Sequence, residues 1–570
     1  MNLKNSIEYG PKTAISEEID AIKYRAEGET FNMKVARIAH ALKDNEDHRV
    51  NFKDAIKHQR FLPAGRVQNA AGSARQTTAF NCFVSSDIKD DMKSIMGAAA
   101  EAAYTMRMGG GIGFNFSNLR PRGDLIKTLD SKASGPISFM GIFDAVCKTI
   151  ASSGHRRGAM MGILNINHPD IEEFITAKND STTLTGFNIS IGVTDAFMIA
   201  LRDGEQFPLE FEGRIYKYVD PVMLWEKVMR STYDWAEPGV VFLDTLNNMN
   251  NLYYCEKLDS TNPCAEQPLP ANGACLLGSF NLVKYVGDGA FDYGLFTHDI
   301  KHVTRAMDNI VDRTIYPLEE QKIEAQNKRR MGLGITGLAN AAEMMGFPYA
   351  SPSFMDFTKK VLETLRDYTY ATSSDLALEK GSFPFYEAEK YLSSNFIKTL
   401  SPWVLKKIKA QGIRNSHLTS IAPTGTISLT SDNVSSGIEP PFALFYDRTI
   451  QNFTGATTER VEDYAYSCGV SGRTANEISA QEHLSVLAVS SQYVDSAVSK
   501  TCNVGDEVSY EDFKKLYFDA WNNGCKGITT FRASGKRFGV LNEVKDDDPL
   551  EEPTAEACFI DPSTGQKSCE

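Results

Sequence analysis

The stretch STNPCAEQPLPANGACLLGSFNL, residues 260–282, carries two cysteines, Cys264 and Cys275, within one short segment. Proline, glycine and alanine surround both cysteines, and such a composition is unfavourable for a helix and for a regular strand. The stretch is therefore predicted to be a loop with a functional role.

Cys264 has Asn262 two positions before it and Glu266 two positions after it. Alternate positions of an extended segment point to the same side, so these three side chains are expected to face one substrate. The set suits a cysteine that attacks a substrate while a glutamate exchanges a proton and an asparagine holds a hydroxyl or carbonyl. The spacing fits a cysteine hydrolase equally well, and a lone cysteine is more commonly a small core residue.

The composition is that of a globular protein. Of the 570 residues, 42% are hydrophobic and 23% are charged, which supports a sizeable core. The length exceeds one ordinary domain, although one large α/β barrel with additions would use most of it. The formal net charge of −13 argues against a surface that coats nucleic acid, because such binding needs clustered Lys and Arg.

The N-terminus is polar, without the apolar core of a secretion signal, and no apolar run reaches the length of a membrane span. We therefore expect a soluble, cytoplasmic protein without a membrane partner. Ten cysteines are too few for a disulfide scaffold in a chain of this size. Since no CxxC or CxxH pair occurs, no metal site built from protein side chains is expected.

Hydrophobic periodicity divides the chain. Apolar residues recur near every 3.6 positions in the first sixty residues, which predicts a helical N-terminal region over 1–58. Short apolar runs then alternate with helical stretches over 59–542, a pattern that favours an α/β architecture.

The last residues, 543–570, are acidic and nearly free of large apolar side chains, so they are predicted to be a flexible tail. The tail nevertheless contains Cys558 and Cys569. A disordered tail has no packing use for cysteine, and we interpret the pair as a mobile dithiol arm rather than as incidental thiols.

A candidate anion site lies in SIAPTGTISLTSDNVSSGIEP, residues 420–440. Hydroxyls, a glycine and backbone N–H groups at a helix N-terminus form a cradle for phosphate, although an ordinary Ser/Thr cap is the commoner use of such residues. No GK[ST] follows, so the stretch is not a P-loop. MGGGIGFNF, residues 108–116, lacks the GxGxxG spacing of a dinucleotide site.

Taken together, these stretches resemble the catalytic subunit of ribonucleotide reductase. The resemblance runs from about residue 60 to residue 535, and its motifs occur in the family's order: NCFV (81–84), GGGIGF (109–114), GHRRGAMMGILN (154–165), NPCAE (262–266) with ACLLGSFNL (274–282), and PTGTIS (423–428). The resemblance implies a ten-stranded α/β barrel of two antiparallel five-stranded halves. A finger loop in its centre would carry Cys264, and the N-terminal region looks too short for a full ATP cone.

The same resemblance implies the roles of the reacting residues. A thiyl radical on Cys264 abstracts the 3′-hydrogen of a ribonucleotide, Glu266 takes the proton of the 3′-hydroxyl, and Asn262 orients the hydroxyls. Cys82 and Cys275 deliver two electrons and become a disulfide as the 2′-hydroxyl leaves as water. An external reductant cannot enter a closed barrel, so electrons from thioredoxin or glutaredoxin are expected to arrive through the tail cysteines, Cys558 and Cys569.

Ligand sites follow from the resemblance in the same way. The substrate is a ribonucleoside di- or triphosphate, with the diphosphate favoured, and its binding residues are expected to be Asn81, Gly111, Pro423, Thr424, Gly425, Thr426, Ile427 and Ser428. A deoxynucleoside triphosphate or ATP would act as specificity effector near the helical interface of a homodimer. The residues expected to contact it are Asp90, Arg120, Lys127, Arg156 and Arg157.

The radical source can be inferred from what the late part of the chain lacks. No RVxGY-like glycyl-radical segment is present, and residues 529–531 read Thr-Thr-Phe where members with a dimetal partner subunit carry two adjacent tyrosines. Tyr253–Tyr254, the only such pair, precedes Cys264. GIEPPFALFYDRT (437–449), VSKTCNV (498–504) and GCKGIT (524–529) resemble the adenosylcobalamin-dependent class, which we therefore expect. The alternatives are a subunit that awaits a dimetal partner and a nucleotide-binding homologue without radical chemistry.

Overall fold

The computed structural model describes residues 9–126, 129–151, 159–180, 182–452, 455–506, 508–532, 534–536, 542–543, 559–561 and 566–568. Five of the predicted site residues lie outside these ranges, namely Lys127, Arg156, Arg157, Cys558 and Cys569.

The helices of the described residues are α1 (Ala14–Tyr24), α2 (Phe31–Leu42), α3 (Glu46–Lys57), α4 (Gly65–Ala70), α5 (Met92–Arg107), α6 (Pro136–Ala151), α7 (Ile171–Thr176), α8 (Asp195–Asp203), α9 (Pro221–Trp235), α10 (Leu243–Asn248), α11 (Tyr293–Arg313), α12 (Glu319–Lys328), α13 (Leu338–Met344), α14 (Pro352–Lys380), α15 (Ala388–Ser393), α16 (Pro402–Gln411), α17 (Gly425–Leu429), α18 (Tyr464–Ser467), α19 (Ala480–Ser491) and α20 (Tyr510–Asn522). Short 3-10 turns occupy Leu282–Tyr285, Ile397–Thr399 and Ala475–Glu477.

The strands of the same residues are β1 (Phe61–Pro63), β2 (Cys82–Val84), β3 (Gly111–Asn115), β4 (Leu125–Ile126), β5 (Ser131–Lys132), β6 (Met160–Asn165), β7 (Phe187–Val193), β8 (Phe207–Phe211), β9 (Arg214–Val219), β10 (Gly239–Phe242), β11 (Ser260–Thr261), β12 (Pro268–Leu269), β13 (Ala274–Cys275), β14 (Leu277–Asn281), β15 (Val286–Gly287), β16 (Ala290–Phe291), β17 (Gly332–Thr336), β18 (Phe445–Asn452), β19 (Gly455–Glu462), β20 (Thr501–Asn503), β21 (Gly527–Phe531), β22 (Asn542–Glu543), β23 (Phe559–Asp561) and β24 (Gln566–Ser568).

The larger sheet has the strand order β13-β2-β3-β6-β7-β10-β21-β20. Its middle strands, from β2 to β10, are parallel neighbours, and helices connect most of them. Strands of a parallel sheet are covered on both faces and read as near-continuous apolar runs, as in MMGILN of β6. The pairing turns antiparallel at β13–β2 and at β10–β21.

A second sheet places β14 between antiparallel β1 and parallel β17. Single parallel bridges continue from it, Leu333 to Thr419 and Ile421 to Val498. Among the described residues the assigned ladders remain separate sheets. The mixed α/β class is therefore confirmed, whereas the closed ten-stranded barrel stays a prediction.

Helices α2 and α3 of the N-terminal region pack into the main core, whereas the buried apolar residues of α1 belong to two smaller clusters. Each of α1, α2 and α3 begins at a Thr or Asn whose side chain accepts a backbone N–H of the first turn, which satisfies one of the donors left open there. Buried Val35, Ile38 and Phe52 belong to one apolar cluster with Phe61 and Phe280 of the sheet. The boundary predicted at residue 58 therefore lies inside a continuous core, and the domain division stays a prediction.

Within the part of the chain that the structure describes, every helix is too short or too polar to cross a membrane.

Candidate active site

Cys264 lies at the tip of a closed turn. The turn joins β11 to antiparallel β12, and its two ends are tied together because Asn262 N–H donates to Gln267 O at 3.1 Å and Gln267 N–H donates to Asn262 Oδ1 at 2.9 Å. Ala265 adopts the left-handed conformation, with φ of 63°. The predicted loop is therefore present, and the side chain of Asn262 holds it closed. We call residues Asn262–Gln267 the finger loop.

Glycines of β3 let the finger loop pass. A Cβ atom on Gly113 would lie 1.8 Å from Thr261 O, so no larger residue fits there without moving the backbone. A Cβ on Gly111 would lie 3.0 Å from Pro263 Cγ and 3.2 Å from Cys82 Sγ. The glycine-rich stretch that lacked a dinucleotide spacing thus gives the loop close access to β3, and Gly111 lies between the loop and Cys82.

The finger loop is also held by residues outside β3. Asn188 Nδ2 donates to Pro263 O at 3.1 Å, which holds the peptide group before Cys264. Ala497 N–H and Ser420 Oγ each donate to Glu266 O at 2.9 Å. Sequence reasoning missed these anchors, and no spacing signal could have found them, because each comes from a distant part of the chain.

Cys82 and Cys275 are direct cross-strand partners in the antiparallel pairing of β2 with β13, and no disulfide joins them. Cys275 is fully buried. Burial raises the pKa of the Cys275 thiol well above its ordinary value, and the nearby Glu266, Cys82 and Cys264 raise it further. The three predicted reactive cysteines and the carboxylate of Glu266 therefore lie close together.

Glu266 is a buried carboxyl group. Burial raises the pKa of Glu266 to about 7, although the Asn262 and Cys264 side chains favour its charged form. Glu266 Oε2 and Asn262 Nδ2 are buried and have no hydrogen-bond partner among the described residues. Unpaired buried polar atoms are rare and costly, so two of them beside a cysteine indicate a position for a polar ligand.

The predicted anion stretch forms the short helix α17, which begins after Thr424 in the left-handed conformation, with φ of 56°. Thr424 Oγ is committed inside the protein: it contacts Thr336 Oγ at 2.9 Å and Ser428 Oγ at 3.0 Å, and it accepts Gly437 N–H at 2.7 Å. These hydroxyls shape the loop that leads into α17. Thr336 is a residue that sequence reasoning missed.

Asn81 connects the strand of Cys82 to the rest of the site. Asn81 N–H donates to Cys275 O at 3.0 Å, and Gly111 N–H donates to Asn81 O at 3.1 Å. Its side-chain Oδ1 is buried without a hydrogen-bond partner among the described residues. Asn81 thus offers a further unpaired polar atom next to the cysteine pair.

A cavity borders the tip of the finger loop. It encloses about 770 Å³, part of it open to solvent, and its walls come from β7, β10, β21 and residues 497–500. Pro263, Cys264 and Ala265 line it, whereas Cys82, Cys275 and Glu266 do not. Cys264 therefore lines the cavity and also lies close to the pair formed by Cys82 and Cys275.

Polar side chains line part of this cavity, including two buried lysines. Lys500 Nζ donates to Glu439 Oε2 at 2.5 Å. Lys526 Nζ donates to the backbone carbonyls of Val494 and Asp495 at 3.1 and 2.8 Å, and burial lowers the pKa of Lys526 to about 8. Thr529 of β21 lines the cavity as well.

The only adjacent tyrosines lie elsewhere. Tyr253 is 48% exposed and its hydroxyl contacts Ser393 Oγ at 2.8 Å, while Tyr254 donates to Phe385 O at 2.9 Å. Neither tyrosine lines the cavity beside Cys264.

Of the predicted effector residues, two are described. Arg120 donates to Asp90 through its backbone N–H at 3.1 Å and through Nε at 2.5 Å. Both side chains are partly exposed, so in this structure they neutralise each other at the surface.

Comparison with known proteins decides the family. The sequence model of the ribonucleotide reductase barrel domain matches residues 80–467 and 471–531, and these ranges contain the finger loop, both sheet cysteines and α17. The chain belongs to the ribonucleotide reductase family. The resemblance predicted from its motifs is thereby confirmed.

The chain is similar to several ribonucleotide reductases. It is 35% identical over 528 residues to the vitamin B12-dependent ribonucleoside-diphosphate reductase of Thermoplasma acidophilum, covering 87% of this chain and 66% of the relative. It is 32% identical over 522 residues to the protein of the same name from Mycobacterium tuberculosis, covering 86% and 73%. A ribonucleoside-diphosphate reductase subunit alpha of Chlamydia pneumoniae is 26% identical over 494 residues, covering 75% and 47%.

Proposed function

We propose that this chain reduces ribonucleoside diphosphates to 2′-deoxyribonucleotides at a thiyl radical on Cys264, with adenosylcobalamin as the radical source. The observation that carries the proposal is the position of Cys264. It lies at the tip of the finger loop, next to a carboxylate and a cysteine pair, and it borders a separate cavity. A cysteine hydrolase would not need two further thiols beside its nucleophile, nor a tail that carries two more.

The cavity suits a cofactor that must act on Cys264 without occupying the substrate position. Its lining reaches the cysteine yet excludes Glu266 and the cysteine pair, and Ser190, Ser499 and Thr529 offer hydroxyls. The names of the relatives support cobalamin as the cofactor. When bound, adenosylcobalamin supplies the oxidation of the Cys264 thiol to a thiyl radical. Threonine and phenylalanine in β21 give no tyrosine relay from a partner subunit.

Cys264 would begin the reaction by taking the 3′-hydrogen of the ribose, which forms its S–H bond and leaves a carbon radical. Glu266 accepts the proton of the 3′-hydroxyl and must be charged to do so. Asn262 Oδ1 is occupied by Gln267 N–H, so Nδ2 remains free to donate to a substrate oxygen. The residues on either side of the half-buried tip, Pro263 and Glu266, are buried, which limits the access of solvent to the radical.

The cysteine pair would supply the reducing equivalents. Cys82 and Cys275 together lose two hydrogen atoms and form one disulfide, while the C2′–O bond breaks and the 2′-hydroxyl leaves as water. Cys264 then returns a hydrogen atom to C3′ and recovers its radical. We propose that Cys558 and Cys569 reduce the disulfide by exchange, with thioredoxin or glutaredoxin as the external reductant in the cytoplasm.

We also propose that the two sheets close into the ten-stranded barrel expected of the family. Three features support closure: β13 and β14 are separated by one residue yet pair with β2 and β17, and two single bridges continue the second sheet from β17 to Val498, close to β20. The two halves would run antiparallel, as the pairing of β10 with β21 does.

A homodimer that binds a deoxynucleoside triphosphate or ATP as effector completes the proposal. Helix α5 supports it, since Met92, Met96 and Tyr104 are 57%, 47% and 63% exposed at helical spacing. Such an apolar stripe on a surface helix is typical of an interface. Asp90 and Arg120 lie beside or near this helix in the sequence, and the remaining effector residues fall outside the described ranges.

The deciding experiment is reduction of CDP by the purified chain with dithiothreitol and effector nucleotides, with adenosylcobalamin added or omitted. Turnover only in its presence supports the proposal. Activity restored by a dimetal subunit instead would mean that the radical enters by a route other than the cavity. Absence of turnover under both conditions would favour a nucleotide-binding homologue.

A further inference from the structure

Lys526 connects the larger sheet to the part of the chain that holds the finger loop. It directly precedes β21, and its carbonyl accepts Phe242 N–H at 3.0 Å, which continues the pairing of β21 with β10. Its side chain binds elsewhere, because Nζ donates to the backbone carbonyls of residues 494, 495 and 496. We call residues 494–497 the anchor segment.

The three N–H groups of the Lys526 ammonium match three acceptors. A lysine ammonium has three donors, and the carbonyls of the anchor segment that bind it are Val494 O at 3.1 Å, Asp495 O at 2.8 Å and Ser496 O. Lys526 also lines the cavity beside Cys264, yet these bonds already use all of its donors. Its role therefore lies in holding the protein rather than in binding a ligand in the cavity.

Burial makes a lysine at this position costly. Lys526 is 4% exposed, and burial lowers its pKa to about 8 because the charged form loses its hydration. An apolar side chain of similar volume would fill the space without that cost, so packing alone does not explain the lysine. The carbonyls explain it, since the anchor segment is buried outside the helices and strands and its carbonyls need donors.

The anchor segment in turn holds the finger loop. Ala497 N–H donates to Glu266 O at 2.9 Å, and Ala497 directly follows the last residue that Lys526 binds. The finger loop is a closed turn, because Asn262 and Gln267 bond to each other at its two ends. A displacement of the anchor segment would therefore move Glu266 and the rest of the turn.

The anchor segment is bound by residues of both sheets. Asp495 Oδ1 accepts Thr419 N–H at 3.0 Å, and Ser496 N–H donates to Thr419 O at 3.1 Å. Thr419 forms a parallel bridge with Leu333 of β17, in the second sheet. Lys526 supplies the bonds from the larger sheet, so it helps to set the position of the anchor segment between the two.

We infer, resting on the function proposed above, that Lys526 is a positioning residue for the finger loop. It acts through Ala497 and not by contact with the substrate. Cys264 and Glu266 are assigned to the hydrogen and the hydroxyl of one ribose carbon, so small errors in their placement slow the reaction.

Hydrogen–deuterium exchange of the full chain, read by mass spectrometry well below the unfolding temperature, tests this role without requiring turnover. Lys526→Met removes all three donors at similar volume, whereas Lys526→Gln keeps two donors on a shorter side chain. Exchange in both the anchor segment and the finger loop is expected to accelerate, about tenfold in Lys526→Met and about threefold in Lys526→Gln, as hydrogen bonds are lost.

The catalytic consequence is measured with CDP and adenosylcobalamin. Lys526→Met is expected to lower kcat about tenfold or more and to leave the dissociation constant of CDP unchanged, because misplaced reacting groups slow the chemical step without weakening ground-state binding. Lys526→Gln should fall between this variant and the wild type.

Lys34→Met is the matched control, since Lys34 is another buried lysine. It donates to Asp20 and to Gln68 Oε1 at 2.8 Å, and Asp20 would keep its bond from Arg25 Nε at 2.6 Å. This variant should lower thermal stability while kcat and the exchange of the finger loop stay at their wild-type values.

Faster exchange confined to the anchor segment would overturn the inference, because Lys526 would then stabilise only its own contacts. Faster exchange of the finger loop with an unchanged kcat would overturn it as well. Should Lys526→Met fail to fold, the same measurements on Lys526→Gln decide. A folded wild-type chain without turnover would instead refute the proposed function, and the exchange of the finger loop would still decide whether Lys526 holds it.

Discussion

Glu266 shows how the fold changes a single side chain. The residue is buried, its Oε2 lacks a partner among the described residues, and its pKa is raised to about 7. A general base works best when its pKa lies near the working pH, because both protonation states are then accessible. Burial therefore turns an ordinary glutamate into a group suited to exchange a proton with the 3′-hydroxyl at neutral pH.

We expect Glu266→Gln to reduce kcat for CDP by about a hundredfold or more, the usual contribution of a general base, with little change in CDP binding. In the wild type the charged form is the active one, so kcat/KM should rise with pH through about 7. Steady-state kinetics from about pH 5.5 to about pH 8.5 test whether kcat/KM rises in this way. A flat profile would show that Glu266 does not accept the proton.

The same substitution should change how stability depends on pH. The folded-state pKa of Glu266 lies above the unfolded value, so the stability from its neutral form is fully present below about 4.5 and is lost as pH rises through about 7. Glu266→Gln is therefore expected to become more stable relative to wild type across that range, by up to about 3 kcal/mol. Thermal unfolding of both proteins at about pH 5 and about pH 8 measures how the difference in stability between Glu266→Gln and the wild type changes.

The pairing of Cys82 with Cys275 predicts a specific product. One turnover without external reductant should leave one disulfide between these residues, because cross-strand neighbours lie within the span of a disulfide. Peptide mass spectrometry after differential alkylation detects it. Cys275→Ser should yield neither the disulfide nor deoxycytidine product, whereas Cys255→Ser, at an exposed cysteine, should yield both. A disulfide at another pair would contradict the assignment.

At the scale of elements, the finger loop and β3 depend on each other. Strand β11, which leads into the loop, approaches Gly113 so closely that a methyl group there would overlap Thr261 O. Asn188, Ser420 and Ala497 hold the loop by further hydrogen bonds, which restrain its displacement. The position of Cys264 is therefore determined jointly by several strands.

Gly113→Ala is expected to displace the finger loop and to lower kcat by about a hundredfold, since a shift near 1 Å in a reacting group has such an effect. The backbone conformation of Gly113 does not itself require glycine, so the clash is confined to the contact with Thr261 O, and circular dichroism checks that the variant folds. Gly287→Ala, where a Cβ meets nothing within 4 Å, is the matched control and should keep full activity. Equal activity of the two variants would show that the loop tolerates the displacement.

At the scale of the whole molecule, the apolar stripe of α5 predicts a homodimer. Light scattering should give the wild type twice the 63.1 kDa mass of the chain. Met96→Glu places a charge in the middle of the stripe and should give the monomer mass, because a buried unpaired charge is costly. Val50→Glu, at a 55% exposed valine of α3, should remain dimeric. A wild-type monomer would contradict the proposed interface.

The sequence by itself determined the family and the local part of the site. Asn262, Cys264 and Glu266 are close in sequence, and residues so spaced must lie in one loop whatever the rest of the chain does. The alternation of apolar runs and helical stretches determined the α/β class in the same local way. The motif order supplied the remaining assignments by resemblance, including the cysteine pair.

Only the tertiary structure decided how distant residues meet. Cys82 faces Cys275 because β2 pairs with β13, and hydrogen bonds from distant parts of the chain bring Asn188, Ser420 and Thr336 to the site. The raised pKa of Glu266 comes from burial by the whole core, which no short segment encodes. The N-terminal helix looked like a separate region in the sequence, yet packing places it against α17. Local spacing fixes which side chains are available, and long-range packing fixes their surroundings and therefore their chemistry.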